Sequence, residues 1–65
     1  MSQGTATHFR RGKKDKSRIY VQIKNGSVYR YPRRLTEAGI RELHEAIKAN
    51  KQRVKLNNWE KVRAA

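Results

Sequence analysis

Residues 19–32 have the sequence IYVQIKNGSVYRYP, in which two alternating segments of strand-forming residues flank Asn25-Gly26. Asn-Gly is the residue pair preferred in tight hairpin turns, and β-branched and aromatic residues favour strands. Pro32 ends the second segment because proline has no backbone donor for the strand ladder. The stretch therefore predicts a β-hairpin.

Two registers are compatible with this hairpin, and they place the tyrosines on different faces. A two-residue turn pairs Ile23 with Val28, so the four aliphatic residues share one face and all three tyrosines share the other. A three-residue bulged turn pairs Ile23 with Ser27 instead. In that register Tyr29 and Tyr31 turn toward the core. We favour the first register because it collects the aliphatic residues on one face.

A helix is predicted over residues 35–50. Thr36 is a suitable N-cap, and apolar residues at three- and four-residue spacing form a buried stripe from Ile40 to Ile47. Asn50 suits a left-handed helix end.

The C-terminal part is shorter and less regular. Residues 53–56 (RVKL) alternate between polar and apolar and predict a short strand. Residues 59–62 fit either a returning strand or one helical turn. Trp59 is expected in the core, because little other bulk is available on that side.

Residues 1–17 predict a flexible basic arm, since Phe9 is the one large apolar side chain there and cannot offset the entropy of ordering the segment. Residues 18–65 then form a single small domain. The predicted fold class is α+β, with a β-hairpin, one helix and a short strand (ββαβ) following the disordered arm.

Composition narrows the possible functions. The 65 residues include 17 Lys or Arg against 5 Asp or Glu, which gives a formal net charge of +12. Such an excess of positive charge favours a polyanionic partner. No apolar run approaches the ~20 residues that span a bilayer, and residues 1–16 lack the apolar stretch of a secretory signal. We therefore expect a cytoplasmic protein with no membrane partner.

The residues do not suggest catalysis or a bound cofactor. The chain has no cysteine, and its two histidines, His8 and His44, are predicted on different elements, so they imply no shared site. His44 is expected at the edge of the helix stripe in a structural role. No phosphate loop or metal-ligand spacing is present. The sequence predicts a non-enzymatic protein with no metal and no cofactor.

Positive charge avoids the predicted helix. Residues 35–50 contain three Glu against two cations, whereas the arm, the hairpin and the C-terminal segment all carry an excess of cations. A helix that enters a DNA groove is therefore not expected. The arm and the sheet form the predicted contact surface, where tyrosines beside cations provide a platform for base stacking or face a duplex groove. The predicted nucleic-acid-binding residues are Arg10, Arg11, Lys13, Lys14, Tyr20, Lys24, Tyr29, Arg30, Tyr31, Arg33, Arg34, Arg53 and Lys55.

Residues 19–32, followed by a helix ending in EAIKAN at residues 45–50, resemble the arm-type DNA-binding domains of lambda-type integrases. Those domains have a basic leader, a tyrosine-rich hairpin, a third strand and then a helix. Here only residues 33–35 separate the hairpin from the helix, so the third strand is expected after the helix. The resemblance favours DNA as the ligand and implies no individual binding residue.

The sequence thus predicts a small basic regulator that binds nucleic acid, DNA rather than RNA, in transcription or recombination control. One alternative is a protein-binding regulator of the phage type, whose basic surface docks on an acidic surface of host RNA polymerase. A second alternative is an RNA- or ribosome-associated protein.

Overall fold

The computed structural model describes residues 3–64. Its elements in chain order are β1 (Gln3–Gly4), β2 (Ala6–Arg11), β3 (Ile19–Ile23), β4 (Val28–Arg30), α1 (Glu37–Ala49), a 3-10 turn (Lys51–Arg53), β5 (Val54–Lys55) and β6 (Glu60–Arg63). The predicted α+β class is confirmed, as are the hairpin, the helix and a short strand after the helix.

An antiparallel four-stranded sheet has the order β2-β3-β4-β6. The helix α1 and the short two-stranded sheet β1-β5 complete the fold. Strand β2 therefore lies at one edge of the main sheet and the C-terminal strand β6 at the other.

The hairpin adopts the three-residue bulged turn, so the favoured register is wrong and the alternative is correct. The Ile23 N–H donates to the Ser27 carbonyl (3.0 Å), and the Gly26 N–H donates to the Ile23 carbonyl (2.9 Å). Gly26 has φ 97°, a left-handed conformation that glycine adopts without steric cost. Asn25 Oδ1 accepts from the Ser27 N–H at 2.8 Å and holds the turn closed.

This register separates the tyrosines. Val21 pairs with Tyr29, which packs against the core, whereas Tyr20 pairs with Arg30 on the other face. Tyr31 contacts Trp59 edge-on, with ring centroids 5.1 Å apart. The three tyrosines therefore do not form one shared platform.

The prediction of a flexible arm is wrong for residues 3–11, which form β1 and β2. Arg10 pairs with Tyr20, and Phe9 pairs with Val21 and packs against the core. Composition undervalues this segment, because its order comes from backbone pairing with the free edge of β3 as well as from apolar bulk. Its cations stay exposed, as is common on an edge strand.

The helix begins close to the predicted residue. Thr36 Oγ1 accepts from the Gly39 N–H at 3.2 Å, which confirms the predicted N-cap. Asn50 ends the helix with φ −126°, so the expected left-handed end is wrong. Its backbone N–H donates instead to the carbonyls of Ala46 and Ile47.

The C-terminal segment forms two strands. The strand predicted over residues 53–56 is reduced to β5, Val54–Lys55, because a 3-10 turn includes Arg53. The alternative left open for residues 59–62 is decided in favour of a strand, β6.

The core lies between α1 and one face of the main sheet. Its buried hydrophobic residues are Ala6, Ile19, Val21, Ile23, Ile40, Ile47, Val54 and Leu56. Trp59 packs against this cluster as expected, together with Phe9, Tyr29 and Leu43. Among the described residues, no helix is both long and apolar enough to cross a membrane.

Substitution of Gly26 tests the turn that sets the register. Gly26→Ala places a Cβ on a residue with φ 97° and is expected to lower the free energy of unfolding by roughly 1–2 kcal/mol. Gly39→Ala is the matched control, because its added Cβ makes only ordinary contacts 3.5 Å from Leu35 and Thr36. In the helix this control raises stability by about 0.5–1 kcal/mol. Urea denaturation measures both, and equal effects of the two substitutions would contradict the left-handed conformation of Gly26.

Candidate nucleic-acid interface

The face of the main sheet opposite α1, here called the open face, carries two cross-strand rows of side chains. The strand registers align Arg10, Tyr20, Arg30 and Glu60 in the first row and His8, Gln22, Val28 and Arg63 in the second. Because side chains alternate along β2, β3 and β4, their members of each row lie opposite the residues that form the core. In β6 an irregularity in the pairing with β4, between Val28 and Tyr29, brings both Glu60 and Arg63 to this face although they are three residues apart. One residue from each of four strands therefore contributes to each row.

The loop between β2 and β3 folds into a closed turn beside this face. The Gly12 N–H donates to the Arg18 carbonyl (2.7 Å), and the Arg18 N–H donates to the Asp15 carbonyl (3.1 Å). A Cβ on Gly12 would collide with the Asp15 carbonyl oxygen, so this compact turn requires glycine. The loop places Lys13 and Lys14 at the border of the open face.

Together the loop and the sheet border an open groove of about 590 Å³. Tyr20, Val28 and Val62 give its sheet side an apolar character. Cationic residues surround this apolar part, namely Arg10, Arg11, Lys13, Lys14 and Arg63. Val62 is 50% exposed and is the large hydrophobic residue that the described chain leaves most open to solvent.

Three ion pairs neutralise a small part of the positive charge within the described residues. Arg11 pairs with Glu37 at the start of α1 (2.7 Å), and Arg30 pairs with Glu60 across the open face (3.1 Å). Arg34 pairs with Asp15 of the loop (2.8 Å). Since the chain has 17 Lys and Arg, most of its cations remain free of a carboxylate partner in residues 3–64.

These pairs change the ionisation of their partners. Hydrogen bonds from the Ser17 side chain and backbone, with Arg34 close by, lower the pKa of Asp15. The Arg11 guanidinium lowers the pKa of Glu37. A hydrogen bond from Arg30 lowers the pKa of Glu60, and the same contact raises the pKa of Arg30. All three carboxylates therefore stay ionised at neutral pH.

The structure brings together some of the predicted binding residues. Arg10, Tyr20 and Arg30 share the open face, and Lys13 and Lys14 border its groove. Arg11 also borders the groove, although its guanidinium extends to Glu37 and its Nε–H donates to the Lys16 carbonyl.

The other predicted residues lie elsewhere. Tyr29 packs against the core and Tyr31 against Trp59, so neither reaches the open face. The remaining cations are outside the two rows: Arg33 and Arg34 before α1, Lys24 in the hairpin turn, Arg53 in the 3-10 turn and Lys55 in β5.

Sequence reasoning missed Arg63, Val62 and Gln22, which line the groove. Residues 60–63 (EKVR) contain one apolar residue among three charged ones, so they give only a weak local signal for a strand. The position of β6 in the sheet depends on tertiary structure, because β6 pairs with β4, and helix α1 lies between these two strands in the sequence.

His8 and His44 both border one shallow cleft, but their rings have different partners. The His8 Nδ1 atom lies 3.2 Å from Thr7 Oγ1, and the Phe9 ring stacks on His44 with centroids 4.6 Å apart. The inference that they share no site stays a prediction, and the structural role expected for His44 agrees with this stacking. In residues 3–64 no three His, Cys, Asp or Glu side chains cluster as metal ligands.

No protein-family model, curated protein or solved structure matches this chain.

Acid titration tests the three ion pairs. A carboxylate whose pKa is lowered in the folded state contributes stability that is present above its unfolded pKa and is lost as the pH falls through the folded pKa. We expect the melting temperature to fall as the pH drops below the ordinary carboxyl values of 4.5 and 3.8. Thermal melts followed by Trp59 fluorescence at fixed ionic strength measure this fall.

Two variants make this titration specific. Glu60→Gln should reduce the acid-induced fall, because it removes one carboxylate whose pKa is lowered. Glu42→Gln is the control, since Glu42 makes no ion pair within the described part of the chain. A fall of equal size in both variants would show that the pairs do not cause it.

Proposed function

We propose that this protein is a non-enzymatic, cytoplasmic nucleic-acid-binding protein with a preference for DNA, and that the open face is its contact surface. The observation that carries the proposal is the groove of about 590 Å³ on that face, whose border combines Tyr20 with several cations. Cationic side chains bind phosphates, and an aromatic ring stacks on bases.

The charge distribution supports this choice of surface. Helix α1 covers the opposite face of the sheet and exposes Glu42 and Glu45, which would repel a polyanion. In contrast, Arg10, Lys14 and Arg63 border the groove and form no ion pair among residues 3–64.

The resemblance to integrase domains implies a third strand between the hairpin and the helix. Here α1 follows β4 directly, and the other two strands of the main sheet precede the hairpin (β2) and follow the helix (β6). A role in transcription or recombination control rests on this likeness.

Salt dependence of DNA binding tests the proposal. About six phosphate contacts predict a slope near −5 for log affinity against log salt on duplex DNA. We expect Lys14→Gln/Arg63→Gln to lower the affinity and to make this slope shallower by about 2. Fluorescence anisotropy with a labelled 20-base-pair duplex measures both quantities.

A double variant on the helix is the matched control. Arg41→Gln/Lys48→Gln removes one Arg and one Lys as well, but from the opposite side of the sheet. If net charge alone determined DNA binding, the two double variants would have equal affinities and equal salt slopes. Equal slopes for them would reject the open face as the contact surface, and a wild-type slope near zero would reject nucleic-acid binding.

A protein partner is the second candidate, supported by the edge strand β6. This strand has one neighbour in the described sheet, and its exposed Val62 lies between Lys61 and Arg63. An acidic extended segment, such as one on RNA polymerase, would add to this edge by backbone pairing and charge attraction.

Nuclease treatment distinguishes the two candidates. We expect a tagged protein to lose its bound material when the lysate is treated with nuclease. Retention of one defined protein would favour the second candidate. Competition with single-stranded RNA tests the RNA- or ribosome-associated alternative, because tighter binding of RNA than of DNA would favour it.

A further inference from the structure

The groove on the open face combines an apolar surface with a basic border. Tyr20, Val28 and Val62 come from three different strands, and the sheet holds them side by side. The loop after β2 adds Lys13 and Lys14 at the side. The volume of about 590 Å³ lies within the range of roughly 300–1,000 Å³ that is usual for ligand sites.

We infer that this groove binds single-stranded DNA, with one unstacked base against Tyr20 and the adjacent phosphates on the surrounding cations. This inference rests on the proposed function and names its substrate class.

The concave shape of the site favours a single strand over a duplex. In duplex DNA the base edges lie at the bottom of a major groove roughly 8.5 Å deep, so a protein reaches them with a protruding element. A groove receives a group that protrudes from the ligand instead. An unpaired base of a single strand is such a group, and aromatic stacking binds it with little dependence on sequence.

The hairpin register limits the site to one stacked base. Among residues 3–64, Tyr20 is the one aromatic residue that lines the groove, because Tyr29 and Tyr31 pack on the helix side of the sheet. A longer stacking surface, as in binders that stack successive bases, would need a second aromatic ring in the groove. Phosphate contacts supply the rest of the affinity.

The apolar part of the groove favours deoxyribose. A ribose 2′-hydroxyl next to Val28 and Val62 would lose water without gaining a hydrogen-bond partner from either side chain. The 2′-methylene of deoxyribose has no such cost. We therefore commit to DNA rather than RNA as the single strand.

Oligonucleotides of equal charge test the inference on the unmodified protein. We expect a labelled 12-nucleotide single strand to bind roughly 5- to 150-fold more tightly than an abasic 12-mer with the same phosphates, the range that stacking of one base supplies. The single strand should also bind more tightly than the same sequence as a duplex or as RNA. Anisotropy at one fixed salt concentration measures all four.

Two variants assign the effect to the ring. Tyr20→Val keeps a strand-forming residue and is expected to reduce binding of the single strand to the level of the abasic 12-mer. Tyr20→Phe loses the hydrogen bond with Arg30 but keeps the ring, so it should still bind the single strand more tightly than the abasic 12-mer. Amide shifts of the wild-type protein provide a measurement that needs no variant. Addition of the single strand should shift Tyr20, Val28 and Val62 and leave Glu42 and Glu45 unchanged.

Three other results of these binding measurements would each contradict a different part of the inference. Equal affinity for the single strand and the abasic 12-mer, or tighter binding of the duplex, would overturn the single-strand inference and leave nucleic-acid binding intact. Tighter binding of RNA would overturn the choice of deoxyribose. Absence of binding to every oligonucleotide would overturn the proposed function as well.

Discussion

The left-handed conformation of Gly26 at the hairpin turn is the constraint on which the rest of the structure depends. It allows a three-residue bulged turn, and that turn pairs Ile23 with Ser27. Because side chains alternate along a strand, a shift of one residue would exchange the faces of β4 completely. The observed register packs the partly buried Tyr29 against the core opposite Val21 and leaves its neighbours in β4 on the open face. The composition of the candidate site therefore follows from the geometry of one turn.

The N-terminal strand shows how a basic segment with little apolar bulk becomes ordered. β2 pairs with the edge of β3, so its backbone groups gain partners that a disordered chain would find only in water. Phe9 adds contact with the core and with His44. The strand carries Arg10 to the open face, and the loop that follows brings two lysines to the same groove. The segment predicted to bind as a flexible arm is thus part of a fixed surface.

The distribution of acidic residues decides which side of the sheet is suited to a polyanion. Glu37, Glu42 and Glu45 all belong to α1, on the covered side of the sheet. On the open face Glu60 pairs with Arg30, and the Asp15 carboxylate of the loop pairs with Arg34. These exposed pairs add little stability, but they hold arginine side chains in defined positions. The open face consequently keeps a net positive border around an apolar centre.

The sequence alone determined the α+β class, the hairpin, the Thr36 cap and the excess of acidic residues over cations in the helix, because these depend on local propensity and on the composition of one segment. Only the tertiary structure decided the register of the hairpin, the formation of strand β2 by the basic N-terminal segment, and the position of β6 beside β4. Asn25-Gly26 permits both a two-residue and a three-residue turn, so the sequence does not decide the register. The packing of Tyr29 against the core, on the helix side of the sheet, is visible only in the folded chain. Five of the predicted binding residues lie at the groove, namely Arg10, Arg11, Lys13, Lys14 and Tyr20, whereas Tyr29 and Tyr31 do not. Arg63 reaches the site because β6 pairs with β4, although the whole of helix α1 lies between these strands in the sequence. A pairing between segments so far apart leaves no signal in neighbouring residues.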